Sequence, residues 1–395
     1  MLELRRIGLN HGSTCGPVSA IGNIRARSTA LLFLKPAAPT DRPNFVDTNI
    51  VDSAAPSKRE KTMPRIRQLD GIRAVAILAV FLHHALHVRL AWMGVDLFFV
   101  LSGFLITGVL LKTKRHIPQR FFSHFYARRA RRILAPYLLL LIVASGFVGL
   151  AWLQHWYFYL FLANFLMPLH ITHPVVFDPL WSLAVEEQFY ILWPLAVYLL
   201  SVQQLKRLCL LLIFLAPALR GMLHFSAHWP IYELTPFRMD LLAAGALLCL
   251  LWREDSRRIE DHGSLWGAAF VLLGLTGLWI LGRLHVTTYG NSRSGNVLIF
   301  EASLLISVGM ITYALADKGT ALLKFRPMVY IGQISYSMYL VHMGLIKMAQ
   351  SRFSQWPAAL VAFAATVFYA SVSWRWIESP LLGTRRAKSP ILMKS

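Results

Sequence analysis

Acidic residues are scarce in this chain. Nineteen Asp and Glu stand against 40 Lys and Arg, and charged residues of either sign fill only 15% of 395 positions. In a soluble protein a net charge of +21 would point to nucleic acid. Here the basic residues cluster between long apolar runs, which fits membrane topology better, so no nucleic-acid partner is expected. Cysteine is nearly missing too. Cys15, Cys209 and Cys249 show no CxxC or other metal-ligand spacing; they read as unpaired thiols, and no metal site is expected. A secretory leader is also lacking. Residues 1–62 are polar, and their one apolar patch, Ala30 to Leu34, is too short to span or to lead to a cleavage site. They read as a disordered cytosolic extension, with Met63 in MPRIRQLDG an alternative start of translation. No soluble domain and no internal repeat stands out.

What is abundant is apolar surface. Hydrophobic residues make up 56% of the chain, and the mean hydropathy is +0.51. Apolar runs recur from about residue 70, so residues 63–382 read as one all-α, polytopic transmembrane helical bundle. About ten spans are expected, near 70–90, 92–110, 133–153, 180–200, 207–223, 237–252, 264–282, 297–315, 328–349 and 356–376. Residues 155–168 are apolar but short for a ~30 Å hydrocarbon core and are expected not to span. The basic segment 112–132 marks the cytoplasmic side. Counting on from it puts both termini, including the tail 383–395, in the cytosol of a multi-pass protein of the cell (inner) membrane, with the lipid bilayer as its surroundings.

The chemistry centres on Gly71 to His87. Arg73 and His84 are eleven positions apart, which puts them within about 20° of one helix face and about 16 Å apart along the axis. His83 lies about 80° from Arg73 and is the weaker partner; Asp70 borders the same face. Ionisable groups within a spanning helix usually face a polar cavity. At the depth of His84 the sequence places Asp96, Glu186, Glu187, Arg238 and Asp240. A neutral imidazole with a carboxylate beside it is a suitable general base, and Asp96, Glu186 and Glu187 are candidates for that carboxylate. Arg238 suits an acceptor or an oxyanion. Each also has a plainer account: helix-start acids for Asp96, Glu186 and Glu187, and a structural pair for Arg238 and Asp240. In FYARRARRI, Arg128 with Arg131 and Arg129 with Arg132 are each one turn apart. They suit either lipid headgroups or the phosphates of a nucleotide-bearing donor. Ser335, Tyr336, Tyr339 and His342 fall within about two turns. They read as cross-links between packed helices, with Tyr339 and His342 joining Arg238 and Asp240 as candidate acceptor-binding groups. Glu378 is expected to pair with Arg375.

Seven segments in order, RQLDGIRAVAILAVFLHH, GVDLFFVLSGFLIT, FYARRARRILAPY, WSLAVEEQFYILWP, FRMDLLAAG, ISYSMYLVH and SWRWIESPL, resemble the acyltransferase-3 family of bacterial integral-membrane O-acyltransferases. The resemblance covers about 65–382. It implies a ten-helix enzyme that takes an acyl group, commonly acetyl, from cytosolic acyl-CoA (acetyl-CoA) and passes it to a hydroxyl of a carbohydrate or glycolipid acceptor. No permanently bound cofactor is implied. The family's Arg-to-His pair falls on Arg73 and His84. Its paired arginines fall on Arg128 and Arg131, with Arg129 and Arg132 the overlapping frame, and its glutamate motif falls on Glu186 and Glu187. Two departures stand out. The histidine is doubled, so its assignment rests on spacing. The sequence also carries no counterpart of the SGNH-type esterase domain that some relatives append.

The expected mechanism docks acyl-CoA on Arg128–Arg132, guides its arm past Arg73, and uses His84 as general base or acyl relay, oriented by Asp96 or a glutamate of the pair. The alternative from the same buried charges is a proton-coupled transporter or flippase of a lipid-linked sugar or small solute.

Overall fold

The computed structural model describes residues 66–149, 156–223, 225, 227, 229–286 and 291–382. The expected extension 1–62 and tail 383–395 lie outside the described residues. Within those residues the chain is helical, without strands. Its long helices are α1 (Arg67–Leu86), α2 (Gly94–Thr113), α3 (Pro118–Val148), α4 (Leu180–Leu199), α5 (Val202–Met222), α6 (Met239–Glu254), α7 (Ser256–Arg283), α8 (Arg293–Ala316), α9 (Arg326–Gln350) and α10 (Gln355–Ser373).

Each expected span falls largely on one of these helices, but among the described residues six segments are long and apolar enough to cross a membrane: Arg67–Leu86, Ala91–Thr113, Val202–Met222, Ser256–Arg283, Arg293–Ala316 and Gln355–Leu381. The reason the other four fall short is local. Helix α6 has 16 residues, about 24 Å of helix against a core of ~30 Å. Helices α3, α4 and α9 carry arginines, glutamates, hydroxyls and a histidine within their length. Large apolar side chains such as Leu192, Phe214, Leu272, Leu360 and Phe368 face outward, as a lipid-facing surface requires. Residues 156–177 form only short turns, at Trp156–Tyr159, Ala163–Phe165 and Val175–Phe177. They pack on α3, α4 and α9 through Phe158, Leu166, Phe177 and Leu340.

Helix α2 is the most enclosed. It packs with α1, α4, α6 and α8 in one core that includes Ile77, Val100, Phe104, Leu242 and Ile311. Between apolar helices in lipid, close backbone approach replaces the hydrophobic drive. Gly103 of α2 sits against the Leu242 carbonyl of α6, and Gly245 of α6 against the Val100 carbonyl of α2, so a methyl group on either would overlap backbone. The α2–α6 pair is therefore locked at contact distance. Helices α1 and α9 are locked in the same manner where Gly332 meets the Asp70 backbone.

Gly103→Ala is expected to destabilise the protein by about 1–3 kcal/mol, because neither backbone has a side chain that can yield. A lowered melting temperature in detergent checks this. Gly146→Ala, at a position with open space around it, is the control.

Candidate active site

The end of α1 sorts its two histidines. His87 ends the helix in the left-handed conformation at φ 56°, and the chain turns so that His83 Nδ1 lies 3.1 Å from the Val88 carbonyl. His83 thus ties down the turn. His84, one position on, faces α9. Its Nδ1 is 2.9 Å from the Val80 carbonyl and 3.2 Å from His342 Nε2. His342 Nδ1 in turn is 2.6 Å from the Tyr339 carbonyl. Carbonyl oxygens only accept, so they assign the protons. His342 carries its proton on Nδ1 and offers the Nε2 lone pair, and His84 carries its proton on Nδ1 and donates it. His84 Nε2 is left as a bare lone pair with no protein partner among the described residues.

Three cavities share walls along the bundle. A basic cavity of about 270 Å³ is lined by Asp70, Arg73, Lys112, Arg129 and Arg132. The same three arginines line a central cavity of about 80 Å³, together with Ser102, Ser182, Glu186, Tyr190, Tyr336 and Tyr339. Tyr339 and Val95 then also border a third cavity of about 190 Å³, which is lined by His83, His84, Asp178, Trp181, Tyr232 and Glu233. Between the last two, the Tyr339 hydroxyl is 2.9 Å from the Pro179 carbonyl and 2.5 Å from Ser182 Oγ. Ser182 faces the central cavity and Pro179 the histidine cavity, so this hydroxyl is the partition.

The arginine frame is decided by the α3 face. Arg128 and Arg131 are exposed and bond to their own helix, at His124 Nε2 and the Ala127 carbonyl. Arg129 and Arg132 turn inward, and Arg129 lies 4.7 Å above the Tyr190 ring. The inward frame is thus the overlapping one, not the Arg128–Arg131 pair of the motif. Glu186 accepts from Ser102 Oγ at 2.6 Å and from the Tyr190 hydroxyl at 3.0 Å. Glu187 Oε1 is buried without a hydrogen-bond partner, and Arg129 is its main charged neighbour.

Several expected positions are corrected. The ring partner of His84 is His342, not a carboxylate. Asp96 is fully buried and taken up by an ion pair with Arg238 and a 2.7 Å bond from Ser303. Arg238 is equally buried, with its guanidinium 4.6 Å from the Phe300 ring and 5.5 Å from that of Tyr232. Asp240 is 2.6 Å from Arg220, which also bonds Glu301 at 2.6 Å and the Phe237 carbonyl at 2.5 Å. Arg238 and Asp240 line none of the three cavities, and each is paired with an opposite charge. His342 is wholly buried behind His84 and lines none of the three cavities. Tyr339 does border the histidine cavity. Glu378 is buried in a π-helical turn, Trp374–Glu378, and accepts from Ser337 at 2.7 Å and Ser373 at 3.2 Å; Arg132 is a charged neighbour.

Sequence reasoning passed over Ser102, Ser182, Tyr190 and Glu233. Ser102 is a lone hydroxyl in an apolar helix, and Glu233 lies between spans in WPIYELTPF. The proline and aromatic density around Glu233, which marks a folded and not a solvated connection, was the available signal.

A family model described as "Acyltransferase domain" matches residues 66–375. The chain is 28% identical over 357 residues to the peptidoglycan O-acetyltransferase OatA of Listeria monocytogenes, covering 80% of this chain and 56% of that protein. It is 25% identical over 348 residues to the O-acetyltransferase OatA of Staphylococcus aureus, covering 79% and 56%. The match thus spans a little over half the length of these relatives. No solved structure matches.

Asp96→Ala strands a buried guanidinium and is expected to destabilise by about 3–5 kcal/mol, read as lost yield and a lower melting temperature. Asp96→Leu combined with Arg238→Met removes both charges and should regain most of that loss. An Asp96→Ala protein that melts like wild type would show that the pair carries no structural role.

Proposed function

From the premise that the chain belongs to the acyltransferase-domain family, we propose that it is a membrane O-acetyltransferase that moves an acetyl group from cytosolic acetyl-CoA to a hydroxyl of a glycan acceptor. The observation that carries this is the series of shared walls from Arg73, Arg129 and Arg132 to the bare Nε2 of His84. The basic end faces the cytosol, as the arginine density of α3 favours. The printed activities of the relatives, O-acetylation and in one case of peptidoglycan, support the acyl group and the acceptor class.

Arg129 and Arg132, with Arg73 beyond them, bind the donor's phosphates by charge-assisted hydrogen bonds. Arg73 and His84 lie about 16 Å apart along α1, the reach of an extended pantetheine arm. The Tyr339 hydroxyl leaves Ser182 or Pro179 as the thioester enters the histidine cavity. There His84 Nε2 takes the proton of the acceptor hydroxyl as its oxygen attacks the thioester carbon. The C–S bond breaks, the proton passes to the departing thiolate, and the acetyl ester remains on the acceptor. His342 holds the His84 tautomer and accepts the Nδ1 proton's hydrogen bond throughout, the part a carboxylate plays elsewhere. Glu186, held by Ser102 and Tyr190, balances the arginine charge.

Radiolabelled acetyl-CoA with purified protein in lipid nanodiscs tests this. His84→Ala is expected to lower transfer by about 10²–10⁴-fold with normal folding. Arg129→Gln and Arg132→Gln should each raise the donor KM by about tenfold, the loss of one charge-assisted bond of ~1.4 kcal/mol. The exposed Arg128→Gln should leave it within about twofold. Full transfer by His84→Ala, or no acetyl-CoA turnover by the wild type, overturns the reading.

A further inference from the structure

The histidine cavity contains a carboxyl group for which acyl transfer to water would have no use. Glu233 closes the short helical turn Trp229–Glu233 between α5 and α6. Its side chain is only 2% exposed, and Oε2 has no hydrogen-bond partner among the described residues. A buried carboxyl oxygen left unmade is expensive, so its retention in a cavity wall calls for a ligand. The group is also held in place. The Glu233 carbonyl accepts from Asn164 Nδ2 at 3.5 Å, and Asn164, itself fully buried, bonds Gln188 at 3.0 Å and Thr235 at 3.2 Å. This network ties the backbone of the turn to α4 and to the 163–165 turn, which fixes where the Glu233 side chain begins.

The wall beside Glu233 is aromatic. Trp181 and Tyr232 have ring centroids 4.9 Å apart, and Trp92 lies 5.9 Å from Tyr232. All three line the cavity with His84 and Glu233. Aromatic faces beside a carboxyl suit a pyranose, which presents an apolar C–H face and a rim of adjacent hydroxyls. Phosphate or carboxylate ligands do not suit this cavity, because no lysine or arginine lines it and Asp178 adds a second carboxyl to its wall. Burial, reinforced by Asp178, pushes the Glu233 carboxyl up to about 9. At neutral pH it is therefore a neutral acid that donates one hydrogen bond and accepts another, matched to a pair of neighbouring hydroxyls.

We propose that Glu233 is the acceptor-binding residue of the histidine cavity, holding the hydroxyl next to the one that His84 deprotonates on a pyranose stacked against Trp181 and Tyr232. This rests on the acyl-transfer reading above. It makes a vicinal diol, not an isolated alcohol, the preferred acceptor.

The experiment uses the full chain in nanodiscs with radiolabelled acetyl-CoA and soluble peptidoglycan disaccharide fragments as the sugar probe, following label on sugar and the KM of each substrate. Glu233→Ala is expected to cut transfer to sugar or raise the sugar KM by about tenfold or more, with the donor KM within about twofold. Glu233→Gln keeps a donor and an acceptor and should lose less. Unchanged sugar kinetics in Glu233→Ala overturns the assignment. So does a loss of donor and sugar binding in step in both variants, which marks Glu233 as structural. Wild-type acetyl-CoA turnover with no label on sugar overturns the sugar class. Absence of wild-type turnover overturns the acyl-transfer reading itself, a result distinct from the others.

Discussion

A charge buried among apolar helices must be neutralised or must face a cavity, and that constraint sorts most of the buried charges of this bundle. Arg238 is answered by Asp96 and by aromatic faces, and Arg220 by Asp240 and Glu301. These groups bind α2, α5, α6 and α8 into the block on which the site stands. Arg73, Arg129, Arg132, Glu186, His84 and Glu233 instead line open volume. The division between scaffold and site is thus a division between charges that have found each other and charges that have found a cavity.

The site gains its directionality from the same economy of partners. The Tyr339 carbonyl holds His342, His342 holds His84, and the remaining imidazole nitrogen points to the third cavity. On the other side, the Tyr339 hydroxyl bonds Ser182 of the central cavity and Pro179 of the histidine cavity. One residue of α9 therefore both fixes the His342 tautomer through its carbonyl and borders the central and histidine cavities. The doubling His83–His84 also finds its reason: one ring anchors the turn after α1 and the other faces the site.

Much of this was legible in the residues. Apolar runs marked out the helices, and the eleven-residue spacing put Arg73 and His84 on one face of α1, where each lines a cavity. The count of spans was less legible. Helices α3, α4 and α9 carry polar site groups that dilute their hydropathy, and α6 is short. The partner of Asp96 was not legible, because an acid at the start of a helix has the same pattern whether it pairs with an arginine 142 positions away or with a histidine. Glu233 was missed because the proline and aromatic density of WPIYELTPF marks a folded connection without saying which cavity its acid would face.

The sequence by itself determined the all-helical class, the family resemblance, and the presence of an arginine and a histidine on one face of α1. These depend on local periodicity, which the chain carries in its own order. Only the tertiary structure decided that His342 orients His84, that Arg129 and Arg132 turn inward while Arg128 and Arg131 do not, that Asp96 belongs to Arg238, and that Glu233 stands in the wall with His84. Each of those depends on the rotation and depth at which two helices distant in sequence meet. Backbone contacts such as Gly103 with Leu242 and Gly332 with Asp70 set that meeting, and no residue's own pattern records it.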